Sequence, residues 1–213
     1  MEDTNQLKTG TTTVALVCKD GIVLAADKRV TSGYLIHHKK FDKVIPISDS
    51  LAVTVAGTVS DIQLLVKYIK AELKLKELRT TREVTVKEAV NLLAMFVYGN
   101  IRKYSVITGV AHFIVGGKDS DGYHAYDIGA DGSITQVDDY TSSGSGSVLA
   151  FGVFETLYKP NMTLDEGVKL AVKAVNAAVQ RDIASGNGVD VVTISKDGVK
   201  KAYTQLLTYK LEA

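Results

Sequence analysis

The sequence predicts an α+β fold: two antiparallel sheets packed face to face, with a layer of helices outside each. Three observations predict it. Strand-like and helix-like segments come in runs, in the order strands, helix pair, strands, helix pair, strands. Neighbouring strand segments are joined by short polar turns of the hairpin kind. Steady alternation of strand and helix, the pattern of a doubly wound parallel sheet, is absent.

The elements follow in chain order. Residues 13–19 alternate, with Val14, Leu16 and Cys18 on one face. Asp20-Gly21 then reads as a two-residue hairpin turn, and residues 22–27 as the return strand. A second hairpin pairs residues 43–47 with 51–57 around Ser48-Asp49-Ser50. From Asp61 to about Leu78, Ile62, Leu65, Val66 and Ile69 recur at helical spacing. Residues 84–103 set Val86, Ala89, Leu92, Leu93 and Phe96 on one side of a second helix. Strands return at 110–116, 122–128 and 133–138. Helices follow over 146–158 and 163–183; the latter opens with Thr163 and has Glu166 three residues on, a capping box. Strands near 189–196 and 200–206 close the chain. No internal repeat or long linker interrupts it, so residues 11–213 read as one domain after a short N-terminal tail.

The bulk properties narrow the function. With 213 residues, 46% hydrophobic and 23% charged, the chain has the composition of an ordinary globular protein. Its net charge of +1 creates no field to recruit nucleic acid or an acidic membrane. Residues 1–10 lack the apolar run of a secretory signal, and no stretch is apolar enough to span a bilayer. A single cysteine, Cys18, fits a reducing cytoplasm and reads as a core residue. His37, His38, His112 and His124 show no ligand spacing, so neither a metal nor another cofactor is expected.

The hairpins bring polar residues together. With a turn at Asp20-Gly21, residue 14 faces 27 and residue 11 faces 30, so Asp27 comes within about one or two pairs of Thr11. With a turn at Asp49-Ser50, Lys43 faces Ala56, beside Gly57. Singly, each residue has a plainer reading. Thr11-Thr12-Thr13 starts a β-branched strand, Asp27 ends a strand, Lys43 is a surface charge, and Gly57 marks a strand-to-helix turn. Gly144-Ser145-Gly146 could be a plain loop, and Asp182 and Ser185 could cap a helix.

Their joint occurrence overturns those readings. The set runs through Gly10-Thr11-Thr12-Thr13-Val14, Lys19-Asp20-Gly21, Ala26-Asp27-Lys28-Arg29, Lys43 and Ala56-Gly57-Thr58-Val59-Ser60-Asp61. It resumes at Gly116-Gly117, Gly144-Ser145-Gly146-Ser147 and Arg181-Asp182-Ile183-Ala184-Ser185-Gly186. In order and spacing it resembles the proteasome β-subunit family, archaeal members most closely, from residue 10 to about residue 200. Ile183 and the segment 103–108 depart from the family pattern.

The resemblance implies the four-layer αββα sandwich of the N-terminal nucleophile hydrolases. It implies a threonine endopeptidase of the 20S core, acting on polypeptides inside four stacked seven-membered rings. The partners it implies are α-subunit rings, other β-subunits, and a regulatory ATPase acting through the α-ring. Residue by residue, Thr11 resembles the nucleophile, Asp27 and Lys43 its activating pair, and Gly57 the oxyanion donor. Ser145, Asp182 and Ser185 match residues that support the threonine amine. Val30, Thr31, Phe41, Ile45, Val55 and Val59 match the lining of the substrate pocket, which favours large apolar side chains. Residues 1–10 match a propeptide cut by self-cleavage between Gly10 and Thr11, where a glycine allows a strained turn.

The proton acceptor has two candidates. A free α-amine with a pKa of about 8 is neutral roughly a quarter of the time near pH 7.5, an unperturbed lysine only about one time in a thousand. That favours the amine, with Lys43 as a fixed positive charge. A buried lysine can shift far downward, which leaves a direct base role open. Three other functions compete: an inactive structural ring subunit, a small-molecule amidase of the same fold, and the peptidase of a bacterial two-component ATP-dependent protease. The first lacks support because Thr11, Asp27 and Lys43 are all present. The second commonly starts with Ser or Cys, and the third lacks the Arg-Asp-x-x-Ser-Gly segment found at 181–186.

Overall fold

The computed structural model describes residues 10–106 and 108–207. All of the expected leader but Gly10 lies outside these residues, as do Ile107 and the last residues of the expected domain, 208–213.

Two five-stranded antiparallel sheets form the centre. The first contains β1 (Thr13–Cys18), β2 (Gly21–Asp27), β10 (Tyr140–Ser143), β11 (Gly188–Ser195) and β12 (Gly198–Leu206), in the order β10-β1-β2-β11-β12. The second contains β5 (Val44–Pro46), β6 (Leu51–Gly57), β7 (Ala111–Asp119), β8 (Gly122–Ile128) and β9 (Ile134–Val137), in sequence order. A separate ribbon pairs β3 (Val30–Ser32) with β4 (Leu35–His38). The helices are α1 (Val59–Thr80), α2 (Val86–Arg102), α3 (Ser147–Leu157) and α4 (Leu164–Val179).

Side-chain alternation sorts the core into three layers. Val14, Leu16 and Val23 face Ala150, Phe154 and Leu170 of α3 and α4. Their strand neighbours Ala15, Ile22 and Leu24 face the other way, onto Ile114 and Ala125 of the second sheet. Val53, Val55 and Phe113 then face Leu65, Ile69 and Leu93 of α1 and α2. The result is the αββα sandwich expected. Strand β2 is buried along its whole length because both its faces are covered. No helix of the described residues is long and apolar enough to cross a membrane.

Both hairpin registers differ from the expected ones. Val14 pairs with Ala25 and Cys18 with Gly21, so the loop is Lys19-Asp20 and Asp27 stands two places from its expected partner. Glycine is needed at 21 for conformation and for space: its φ is +156°, and a Cβ there would lie 2.1 Å from the Ile194 carbonyl of β11. A shift of two keeps every side chain on its expected face. In the second hairpin Val44 pairs with Thr54, a shift of one. Lys43 therefore bonds opposite Val55, whose N–H donates to the Lys43 carbonyl at 3.0 Å, and not opposite Ala56. The turn is closed by Ile47 and Ser48 N–H groups donating to the Leu51 carbonyl, which centres it half a residue earlier.

The Thr163–Glu166 capping box forms as expected, with Glu166 N–H reaching Thr163 Oγ1 at 3.3 Å and Thr163 N–H reaching Glu166 Oε2 at 2.8 Å. Helix α4 stops at Val179, short of residue 183. The residues after it turn back: Asp182 N–H bonds to the Ala178 carbonyl at 2.7 Å and Ser185 N–H to the Asp182 carbonyl at 3.2 Å. That turn delivers two side chains to the site described next.

Candidate active site

Four strand ends meet at one end of the sandwich. Thr11 leads into β1, Asp27 ends β2, Lys43 precedes β5, and Gly57 ends β6. Asp27 N–H donates to the Thr12 carbonyl at 3.1 Å, which continues the β1–β2 ladder and sets the carboxylate beside Thr11. The Lys43 ammonium donates to Asp27 Oδ1 at 2.7 Å and to Thr11 Oγ1 at 3.1 Å. The Thr11 hydroxyl in turn donates to the Gly10 carbonyl at 2.7 Å.

Asp27 is held from every side. Its Oδ1 also accepts from Thr12 N–H at 3.0 Å, and its Oδ2 accepts from the N–H groups of Arg29 and Gly186, each at 2.9 Å. Such charge-assisted bonds leave the carboxylate little freedom to rotate. The Lys43 side chain is 3% exposed and that of Asp27 is not exposed at all. Burial pushes the Lys43 ammonium below the ordinary lysine value, and the charge and hydrogen bond of Asp27 offset only part of that shift. Lys43 thus gives up its proton more readily than a surface lysine.

A second hydrogen-bonded chain lies on the other side of Thr11. Its N–H donates to Ser145 Oγ at 3.2 Å. Ser145 and Ser185 both donate to Asp182 Oδ2, at 2.6 and 2.5 Å. Ser185 Oγ lies 2.6 Å from Thr12 Oγ1. Asp182 therefore organises two hydroxyls, that of Ser145 bonded to the Thr11 nitrogen and that of Ser185 bonded to Thr12, joining the loop before α3 to the turn after α4. Thr12 belongs to this chain and was missed from the sequence, where it read only as strand. Its alternation with Thr11 is the signal that could have found it.

Two glycines are fixed by contact. A Cβ on Gly10 would lie 2.0 Å from the Ala184 Cβ and 2.6 Å from Ser145 Oγ, so the backbone next to Thr11 passes where no side chain fits. Gly10 is not in the left-handed region, so room, not an unusual turn, is what demands glycine. Gly57 has φ +124°, and a Cβ there would lie 2.2 Å from the Val110 carbonyl. Its glycine character serves the sheet as well as any approaching molecule.

A cleft opens beside Thr11 and Lys43. Of the residues matched to a substrate pocket, Val30, Thr31, Phe41, Val55 and Val59 line it, together with Gly10, Arg29, Gly57 and Ile62. Ile45 does not line it. That residue packs, partly buried, against the core under α1 and α2, because it lies two residues deeper along β5 than Lys43 on the same face. Arg29 is the charged residue that sequence reasoning did not assign to the lining. Its guanidinium is committed to Asn187 Oδ1 and the Ile183 carbonyl, both at 2.8 Å. Thr31 Oγ1 accepts from Gly10 N–H at 3.4 Å, tying the entering chain to the cleft wall.

Cys18 is no candidate nucleophile. Cys18 is buried in the core under α3 and α4, and burial, with Asp20 and Glu166 nearby, pushes its thiol up to about 12. It is a protonated core residue at neutral pH. Among the described residues no cluster of His, Cys, Asp or Glu is arranged to hold a metal ion.

Comparison with known proteins finds a matching family and relatives over most of the chain. A family model described as "Proteasome subunit" matches residues 7–194. The chain is 43% identical over 192 residues to a proteasome subunit beta of Methanococcus maripaludis, covering 90% of this chain and 86% of the relative. It is 44% identical over 189 residues to that of Archaeoglobus profundus, covering 89% and 86%. It is 42% identical over 209 residues to proteasome subunit beta 1 of Thermococcus kodakarensis, covering 98% and 100%.

Proposed function

The chain belongs to the proteasome subunit family, with β-type relatives over most of its length, and from that premise we propose that it is a threonine endopeptidase that first frees its own nucleophile. The observation that carries the reading is the buried Lys43 ammonium bridging Thr11 Oγ1 and Asp27. An ordinary threonine hydroxyl is a poor nucleophile and needs an adjacent base.

Self-cleavage comes first. Before it, the Thr11 nitrogen is an amide and cannot take up a proton. Lys43, its affinity for a proton lowered by burial, is then the base within reach. Once the Lys43 ammonium has lost a proton to solvent, Thr11 Oγ gives its proton to the neutral amine and bonds to the Gly10 carbonyl carbon. The Gly10–Thr11 C–N bond breaks, the nitrogen takes the proton, and an ester remains. Water hydrolyses the ester, releasing residues 1–10 with a new carboxylate and leaving Thr11 with a free α-amine.

Peptide hydrolysis repeats the chemistry on a substrate. Thr11 Oγ, its proton taken by the base, attacks the scissile carbonyl while the backbone N–H of Gly57 stabilises the oxyanion; the C–N bond then breaks and the leaving amine takes that proton. Water then releases the acyl-enzyme ester. The α-amine, beside Ser145 and the Asp182–Ser185 pair, now shares the proton-acceptor role with Lys43. Asp27 keeps Lys43 aimed at the hydroxyl throughout.

The chain works inside a proteasome complex. We assign it to the inner rings of the four-ring, seven-membered 20S core in the cytoplasm, between α-subunit rings and beside other β-subunits. A regulatory ATPase acting through the α-ring supplies unfolded polypeptides. The cleft lining of Val30, Phe41, Val55, Val59 and Ile62 favours large apolar residues before the scissile bond. Burying such a side chain releases about 1.5–3 kcal/mol, or roughly 10- to 100-fold in rate. Fluorogenic peptides ending in Leu, Tyr, Arg or Asp, offered to the particle assembled with its α-partner, test the reading. Leu and Tyr are expected to lead by at least about tenfold. Absence of any peptide hydrolysis overturns the activity, and preference for Arg or Asp overturns the assignment of the cleft.

A further inference from the structure

The dipeptide Asp-Lys occurs twice in the sequence, at Asp27-Lys28 and Asp42-Lys43. The fold pairs the two reciprocally. Asp27 binds Lys43 at 2.7 Å, and Lys28 binds Asp42 at 2.7 Å. Adjacent side chains on extended backbone point to opposite sides. The first pair therefore reaches Thr11 while the second lies behind it. We propose that Lys28 and Asp42 are positioning residues: their ion pair tethers the segment carrying Lys43 to the sheet carrying Asp27. This inference rests on the threonine-protease reading.

The segment needs a tether. Lys43 precedes β5, a three-residue strand at the open edge of the second sheet. On one side the ladder with β6 holds it, through Val55 N–H and the Lys43 carbonyl at 3.0 Å. On its other edge no strand of the described residues pairs with it. There Phe41 N–H donates to the Lys28 carbonyl at 3.1 Å, and Lys28 Nζ holds Asp42. The ladder to one sheet and the tether to the other together set where the Lys43 backbone lies between Asp27 and Thr11.

Lys28 is built to hold, not to move. Its side chain is 6% exposed, and its ammonium also binds Asp190 of β11, whose side chain is 5% exposed. Asp190 is itself bound by Thr204 and by Lys201 at 3.1 Å. Lys28 N–H donates to the Gly186 carbonyl at 3.1 Å, and Gly186 N–H donates to Asp27. Anchored this way, Lys28 is a fixed post. Asp42, 70% exposed, is the part that can be changed without opening the core. A misplacement of about 1 Å at a reacting group can cost on the order of 100-fold in rate.

The test uses the particle assembled with its α-partner, with Asp42→Ala, Asp42→Glu, Lys28→Gln and the Lys28→Gln/Asp42→Ala double variant. Steady-state kinetics on a fluorogenic peptide ending in Leu are read beside the thermal midpoint. Asp42→Ala is expected to lower kcat about tenfold with KM within about twofold and the midpoint unchanged. Asp42→Glu restores most of kcat. Asp42→Ala and Lys28→Gln change the local charge in opposite senses yet cut the same tether. Both should lower kcat, and the double variant should be no slower than the slower single one. A wild type that cleaves and an Asp42→Ala variant that matches it overturn the tether alone. So does a loss in which kcat, KM and midpoint fall together with no rescue by Glu. A wild type inert toward every peptide overturns the protease reading, and the tether with it.

Discussion

Replacing Thr11 with alanine is expected to leave the leader uncut and to lower peptide hydrolysis by about 10⁴-fold or more in the assembled particle. Two losses coincide. The hydroxyl that attacks is gone, and the amine that only cleavage can create never appears. The fold should survive, because Thr11 lies ahead of β1 and, among the described residues, its side chain bonds to Lys43 and the Gly10 carbonyl alone. Intact mass and peptide hydrolysis on the same sample check both losses. Thr11→Ser keeps the hydroxyl and should still shed the leader. Normal cleavage by Thr11→Ala would mean that another group is the nucleophile.

Lys43→Arg separates the two roles open to the lysine. A guanidinium stays protonated at every accessible pH and still can bond to Asp27. If Lys43 serves as a fixed positive charge alone, arginine should support leader removal. If Lys43 takes the proton, arginine should slow it by about 10²–10⁴-fold, the usual worth of a general base. The structure favours the larger loss, because burial lowers the lysine's affinity for a proton and no free amine exists before cleavage. The pH dependence has a definite sign. The folded pKa lies below the ordinary lysine value, so the wild-type rate of leader removal should rise with pH through that folded pKa and then level off. Stability follows the same sense: between the folded and unfolded values the unfolded chain binds more protons, so stability rises with pH there. Below the folded value the full cost of burying the charge is present. A leader-removal rate independent of pH, or a fast Lys43→Arg variant, contradicts the base role.

Much of this was legible in the residues. The alternation of Val14, Leu16 and Cys18, and the helical spacing of Ile62, Leu65, Val66 and Ile69, identified buried faces directly. Thr163 and Glu166 announced the start of α4 because a cap is a local device. The αββα order followed from the grouping of strands and helices. Register was less legible. The glycine at 21 advertises a turn, yet its place is set by the Ile194 carbonyl of a strand far along the chain. Strand β10 was invisible because Thr141, Ser142 and Ser143 are polar and are nonetheless buried between neighbours. The ribbon β3–β4 was invisible for the opposite reason: Leu35–His38 is exposed throughout and carries no two-residue pattern. At the site, the meeting of Thr11, Asp27 and Lys43 was foreshadowed only in part. The first hairpin brings Asp27 to Thr11, but nothing local places β5 beside β2. Ile45 lies off the cleft wall, and Arg29 and Ile62 lie on it, because cleft lining depends on depth along a strand and on packing between elements.

The central claim is that Thr11 becomes a free N-terminus by cutting the chain after Gly10. The measurement that tests it most directly is the intact mass of this chain after assembly with its α-partner, compared with the chain alone. The account predicts that the assembled chain has lost residues 1–10 and begins at Thr11. A complete particle whose chain still carries Met1–Gly10 would contradict it, since Thr11 would then be blocked and the subunit could serve the ring only as structure.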